Sequence, residues 1–128
     1  MRSGPPWRVC PLCNQGDKAG GEQLQIFCAG DVVLQSGHVF PDLQLVYRSY
    51  GRVNAARDNV IVYPTSFAAQ HFDTEWLVGP GGILDTDRWF VVIPNLFGNG
   101  LSSSPSNSTD RFKLSEFPRI AYNDAVSV

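Results

Sequence analysis

The stretch from Asp85 to Pro105, DTDRWFVVIPNLFGNGLSSSP, constrains the fold more than any other part of the chain. A polar turn, Asp85-Thr86-Asp87, leads into an unbroken apolar segment, Trp89-Phe90-Val91-Val92-Ile93, which stops at Pro94. A short apolar run rich in β-branched and aromatic residues, with turn signals at both ends, reads as a strand buried on both faces. Such strands belong to parallel sheets with helices packed above and below. In those folds ligands bind where the carboxyl ends of the strands give way to loops. The Gly-, Asn- and Ser-rich loop from Asn95 to Pro105 is therefore the first place to expect function.

Upstream, the chain divides at about residue 23. Residues 1–23 are rich in Gly, Pro and polar residues and carry no apolar period, which predicts a flexible extension. From residue 24 the pattern tightens into an α/β domain. Leu24-Gln25-Ile26-Phe27 and Val32-Val33-Leu34 are short strand candidates, with a turn at Ser36-Gly37. Asp42 to Tyr50 alternates, with Leu43, Leu45 and Tyr47 on one face and Asp42, Gln44 and Arg48 on the other. That pattern predicts a half-buried strand in the outer part of a sheet. Val60-Ile61-Val62-Tyr63 reads as a second buried strand, ended by Pro64. Phe72 to Leu84 is irregular, and Ile120 to Val128 reads as the first turns of a helix, with Asn123 and Asp124 near its positive end. A helix starting so close to the last residue suggests the opening part of a larger sheet.

Several function classes are disfavoured. The net charge of −2, with Lys and Arg scattered, suggests no nucleic-acid surface. No apolar run approaches membrane-spanning length, and the first residues lack the apolar core of a secretory signal. Three cysteines make no disulfide framework, so a cytoplasmic protein with reduced thiols is expected. Cys10 and Cys13 have the spacing of half a zinc knuckle, but the other half is missing. The spacing of His71, Asp73 and Glu75 suits a metal only on one strand face, and this segment is not a convincing strand. A solvated loop is expected there, and no metal site. Gly79-Pro80-Gly81-Gly82 lacks the Lys-Ser/Thr ending of a phosphate loop and reads as a structural turn.

Five ordered segments carry a family resemblance: Leu34-Gln35-Ser36-Gly37; Tyr47-Arg48-Ser49-Tyr50-Gly51 with Asn54-Ala55-Ala56-Arg57-Asp58-Asn59; Val78-Gly79-Pro80-Gly81; Leu84-Asp85-Thr86-Asp87-Arg88-Trp89-Phe90; and Pro94 to Gly100 with Ser102 to Asn107. Together they resemble the N-terminal part of the homoserine O-acetyltransferase family, acyltransferases of the α/β-hydrolase fold. The main branch tends to carry His-Ala-Leu-Thr-Gly where this chain has Tyr63-Pro64-Thr65-Ser66-Phe67, which resembles a divergent branch. The fold implied is an incomplete α/β-hydrolase: antiparallel strands leading into a parallel sheet, a truncated domain over residues 24–128.

The resemblance implies transfer of an acetyl group from acetyl-CoA, as co-substrate, to a hydroxyl acceptor such as homoserine, in methionine biosynthesis. A serine on a strand-to-helix elbow would carry the acetyl group, a His and an Asp would activate it, and two backbone N–H groups would hold the oxyanion. No metal or prosthetic group is implied, and a homodimer stays open for the full-length protein. The chain contains no Gly-x-Ser-x-Gly elbow; Gly100-Leu101-Ser102-Ser103-Ser104 lacks the second glycine. Those serines are expected to make turns and backbone hydrogen bonds. None of the triad is expected among these 128 residues, and the chain alone is expected to be inactive. The catalytic element it can hold is half of an oxyanion hole; Pro64 has no N–H, which leaves Thr65 or a close neighbour, and the resemblance to the family's loop implies the Thr65 backbone N–H. Asn95, Gly98, Asn99 and Gly100 are expected to shape the site. An esterase of the same fold, or a truncated form that only binds a partner, are the alternatives.

Overall fold

The computed structural model describes residues 24–108 and 114–127. The expected extension over 1–23, with Cys10 and Cys13, lies outside the described residues.

Four strands form one sheet in the order β1-β2-β4-β3. They are β1 (Gln25–Val33), β2 (Val39–Tyr50), β3 (Val60–Val62) and β4 (Phe90–Pro94). β1 and β2 form an antiparallel hairpin, β2 pairs antiparallel with β4, and β3 pairs parallel with β4. Antiparallel strands thus lead into a parallel pair, as the sequence implied.

The hairpin departs from the sequence reading in two ways. The two strand candidates Leu24–Phe27 and Val32–Leu34 are one strand, because β1 runs through Gly30 with register shifts on either side of it. Gly30 takes φ +71°, a left-handed value that glycine adopts without a Cβ penalty. β2 begins at Val39 rather than Asp42, and Asp42 sits at φ +46° in a bulge. Between the Val32–Phe40 and Gly30–Leu43 pairs, β2 advances one residue more than β1. That extra residue brings Phe40 and Leu43, both fully buried, to one face.

β2 is also an inner strand, with a core on each face. On one side Leu34, Phe40 and Leu43 pack with Phe97, Phe117 and Ile120, and the Phe40 and Phe117 rings meet edge to face at 5.5 Å. By strand alternation Val46, Arg48 and Tyr50 face the other side, next to Val91 and Ile93. The expected placement of Arg48 on an exposed face is therefore wrong. Its guanidinium pairs with Glu75 at 2.7 Å and lies over the Tyr50 ring. A long side chain can enter such a face because its charge finds a partner there.

The second core gathers Leu84, Val91 and Ile93, with Ile61, Leu77, Val78 and Trp89 against them. Fully burying Val91 and Ile93 contributes roughly 1.5–3 kcal/mol each. The segment expected to be buried on both faces is buried on one: Phe90, Val92 and Pro94, which alternate with the buried pair, are half-buried. β3 is more exposed still, with Val60 at 43% and Val62 at 61% exposure. It is one of the two edge strands of the sheet, and both valines are exposed among the described residues. The expectation of a buried strand there fails for that reason.

The parallel β3–β4 crossover runs through two short 3-10 turns, His71–Asp73 and Glu75–Leu77, and a Val78–Leu84 bridge. At the far end, α1 (Tyr122–Ser127) starts close to the expected place. Asp124 is buried; its carboxylate accepts the Ala121 N–H at 2.7 Å and the Gln35 N–H at 2.6 Å. One side chain thus joins the first helical turn to the turn between β1 and β2.

Candidate active site

β3 and β4 are parallel neighbours, so their carboxyl ends emerge side by side. Two bonds hold the exits together. The Thr65 N–H donates to the Pro94 carbonyl at 3.1 Å, and the Leu96 N–H donates to Thr65 Oγ1 at 3.0 Å. Thr65 is buried by this arrangement. Its N–H extends the sheet ladder and is not free to meet an oxyanion, which corrects the assignment of that role to Thr65. The next two N–H groups differ. Among the described residues, neither the Ser66 nor the Phe67 N–H finds an acceptor. They lie in a tight turn, closed by the Ala69 N–H on the Ser66 carbonyl, in which Ala68 takes φ +61°. A residue with a Cβ at such a φ costs on the order of 1 kcal/mol, so the neighbouring bonds fix the turn against strain.

Asn95 is the fixed point of the site. It is fully buried, at the end of β4. Its backbone N–H and its Nδ2 both donate to the Val46 carbonyl, at 2.9 and 3.0 Å. Its Oδ1 accepts the His71 N–H at 2.9 Å and Asn99 Nδ2 at 3.1 Å. Its carbonyl accepts Ser102 Oγ at 2.7 Å. One amide side chain therefore joins β2, the loop after β3 and the loop after β4. Burying so many polar groups is tolerable only because each is bonded; no fully buried side-chain N or O among the described residues lacks a partner.

The three serines do the structural work expected of them. Ser102 Oγ accepts the Val46 N–H, and Ser103 bonds both the N–H and the carbonyl of Gln44. In this way the loop replaces a strand alongside β2, beyond the point where β4 has ended. Ser104 Oγ donates to the Ser102 carbonyl at 2.6 Å and accepts the Gly100 N–H at 2.8 Å. Asn107 closes the loop from the other side, with Oδ1 on the Ser104 N–H and Nδ2 on the Ser102 carbonyl.

Of the residues expected to shape the site, Asn95 and Asn99 anchor the loop, while Gly98 and Gly100 supply its left-handed corners at φ +86° and +94°. Asn99 Nδ2 reaches the Ala69 carbonyl, and Gln70 Nε2 answers on the Asn99 carbonyl, so the loops after β3 and β4 are clasped together.

His71 overturns an expectation. It is buried at 5% exposure, not solvated, with Nδ1 3.4 Å from Asn95 Nδ2 and its ring edge-on to Phe72. Its burial depends on Asn95, 24 residues away in sequence, and nothing local signals it. Asn95 itself was legible, as a polar residue directly after a proline-terminated strand. His38 is exposed, beside Ser36. Among the described residues no group of three or more His, Cys, Asp and Glu could hold a metal ion. No helix among them is long and apolar enough to cross a membrane.

A surface cavity of about 560 Å³ lies elsewhere, at the amino end of β4, between Tyr50, Arg52, Gly79, Pro80 and Asp87. The adjoining Gly79–Gly82 stretch is a structural turn. Its N–H groups bond the Leu84 carbonyl, Asp85 Oδ1 and the Gly79 carbonyl.

The strand order, the crossover and the loops at the carboxyl ends define the α/β-hydrolase fold. A solved acetylester hydrolase of Corynebacterium glutamicum superposes with a TM-score of 0.78 at 31% identity, over 82% of this chain and 31% of that one. The chain is 33% identical over 123 residues to a homoserine O-acetyltransferase of Geobacter sulfurreducens, covering 82% of this chain and 33% of the relative. It is 36% identical over 110 residues to a homoserine O-succinyltransferase of Dechloromonas aromatica, covering 73% of this chain and 29% of the relative. No protein-family model matches the chain. The chain has the α/β-hydrolase fold and is similar both to homoserine O-acyltransferases and to an acetylester hydrolase. It spans about a third of the length of the curated relatives it matches.

Proposed function

We propose that the protein transfers an acetyl group from acetyl-CoA to a small hydroxyl acceptor such as homoserine, in the cytoplasm and in the service of methionine biosynthesis. The observation that carries this reading is the pair of clasped loops at the carboxyl ends of β3 and β4, in a chain whose relatives are homoserine O-acyltransferases. In acyl transfer through a serine ester, negative charge gathers on the carbonyl oxygen as the tetrahedral species forms. The unpaired N–H groups of Ser66 and Phe67 are the donors this chain offers to that oxygen. Removing one such donor typically lowers transition-state stabilisation by about 3 kcal/mol. The clamp at Asn95 holds their turn in place. The 128 residues contain no Gly-x-Ser-x-Gly elbow, so on this reading they do not turn over substrate by themselves. The reaction needs no metal or prosthetic group, and the full-length protein would act on small molecules, alone or as a homodimer.

A second reading is favoured by the superposition on an acetylester hydrolase: water takes the acetyl group in place of the acceptor. The test is an assay of the native protein at its own full length. Thiol release from acetyl-CoA that depends on added homoserine supports transfer. Acetate release from p-nitrophenyl acetate, unaffected by any hydroxyl acceptor, supports hydrolysis.

A further inference from the structure

Asn99 is the one asparagine in the chain that is followed by glycine. An Asn-Gly pair is chemically labile because the glycine nitrogen, with no Cβ beside it, can reach the preceding side-chain carbonyl carbon. Here every participant in that reaction is held. The Gly100 N–H, the latent nucleophile, donates to Ser104 Oγ at 2.8 Å. Asn99 Nδ2, the latent leaving group, donates to the Ala69 carbonyl and to Asn95 Oδ1, both at 3.1 Å. Asn99 Oδ1 accepts the Leu101 N–H at 3.0 Å. The same Asn99 clasps the loop after β3 to the loop after β4.

We propose that Asn99 is a gated deamidation site, at which local opening of this clamp permits a covalent change that then prevents the clamp from closing. When the clamp opens, the Gly100 amide nitrogen gives its proton to hydroxide and attacks Asn99 Cγ. A Cγ–N bond forms, the Cγ–Nδ2 bond breaks as Nδ2 takes a proton from water, and ammonia leaves, giving a cyclic imide and returning the hydroxide. Water then opens the imide to aspartate or isoaspartate; nothing is oxidised or reduced. The product has a carboxylate where the amide donor stood. It faces two acceptors, the Ala69 carbonyl and Asn95 Oδ1, and can donate to neither. Acceptor against acceptor in a half-buried site is unfavourable, so the two loops part.

The test needs no variant at first. The chain is held at mildly alkaline pH, folded and in denaturant, and peptide mapping follows the amide-to-acid mass change at Asn99. The folded chain is expected to react more slowly by roughly tenfold or more, because reaction must wait for local opening. Equal rates in the folded and unfolded chain would overturn the gate. Ser104→Ala, which frees the Gly100 N–H, is expected to raise the folded-state rate; no rise would also count against it. The consequence is tested separately with Asn99→Asp. Amide hydrogen exchange is expected to quicken across residues 66–71 and 96–104 and to stay unchanged in β1 and β2. Unchanged exchange in those loops would overturn the claim that the product releases them.

Discussion

The Thr65 backbone N–H donates to the Pro94 carbonyl oxygen at 3.1 Å, and this bond continues the β3–β4 ladder past the end of β3 to the last residue of β4. The first N–H after β3 that finds no acceptor among the described residues is therefore that of Ser66. The bond also brings Thr65 Oγ1 to the Leu96 N–H, so a single threonine seals the seam between the two loops.

Asn95→Ala is expected to lower stability by about 2–3 kcal/mol, measured by urea unfolding. The substitution leaves the buried His71 N–H without its acceptor, and leaving such a group unpaired costs about 1–3 kcal/mol. Loss of the Asn99 contact adds to it. A change below 0.5 kcal/mol would show that the loops do not depend on this side chain.

Gly51→Ala is expected to cost roughly 2–4 kcal/mol. Gly51 sits at φ +78°, and a Cβ there would lie 2.4 Å from the Trp89 carbonyl oxygen. The strain and the clash both act, and the atoms met, the Trp89 and Thr86 carbonyl oxygens, belong to the backbone. Thermal unfolding of the variant checks this.

The Arg48–Glu75 pair is half-buried, and Tyr50 OH also reaches Glu75. A double-mutant cycle with Arg48→Met and Glu75→Gln is expected to give a coupling of about 1 kcal/mol, the upper range for such pairs, and weakened by salt. Coupling near zero would mean that the ion pair adds nothing and that the contact of the Arg48 guanidinium with the Tyr50 ring is what this side chain contributes.

Asp85 accepts the backbone N–H groups of Gly81 and Asp87, and these bonds, with a smaller contribution from Arg88, hold its carboxyl below the usual value of 3.8. A carboxyl with a lowered folded-state pKa binds fewer protons folded than unfolded, so it makes stability rise with pH in that window. Its contribution is present above pH 3.8 and is lost as the pH falls through the lower folded value. The stability difference between wild type and Asp85→Asn should therefore shrink on acidification below about pH 4. A difference that stays constant with pH would contradict this.

How much of this could be read beforehand depended on whether the signal was local. The β4 run and the Asp85 turn follow from residues within a few positions of one another, and the Ser and Asn content of the next loop announces its turns, though not the partners that Ser102, Ser103 and Asn95 find on β2. The exposure of β3 and the burial of His71 have no such local signal. Val60 and Val62 look like core residues until the sheet order places them at an edge. His71 looks like a loop residue until Asn95 takes its N–H. In β2 the bulge at Asp42 breaks the alternation on which face assignment relies, and an inward Arg48 is invisible without Glu75. Thr65 is the oxyanion donor that the family's loop implies; only the ladder shows that its N–H is already taken.

The most direct test of the acyl-transfer account is to trap the acyl group. The native full-length protein is mixed with acetyl-CoA, quenched in acid and mapped by mass spectrometry. The account predicts a hydroxylamine-sensitive acetyl ester on a serine other than Ser102, Ser103 and Ser104, whose hydroxyls are committed to Val46, Gln44 and Gly100. An acetyl ester on one of those three serines, or no covalent acetyl group at all, would contradict it.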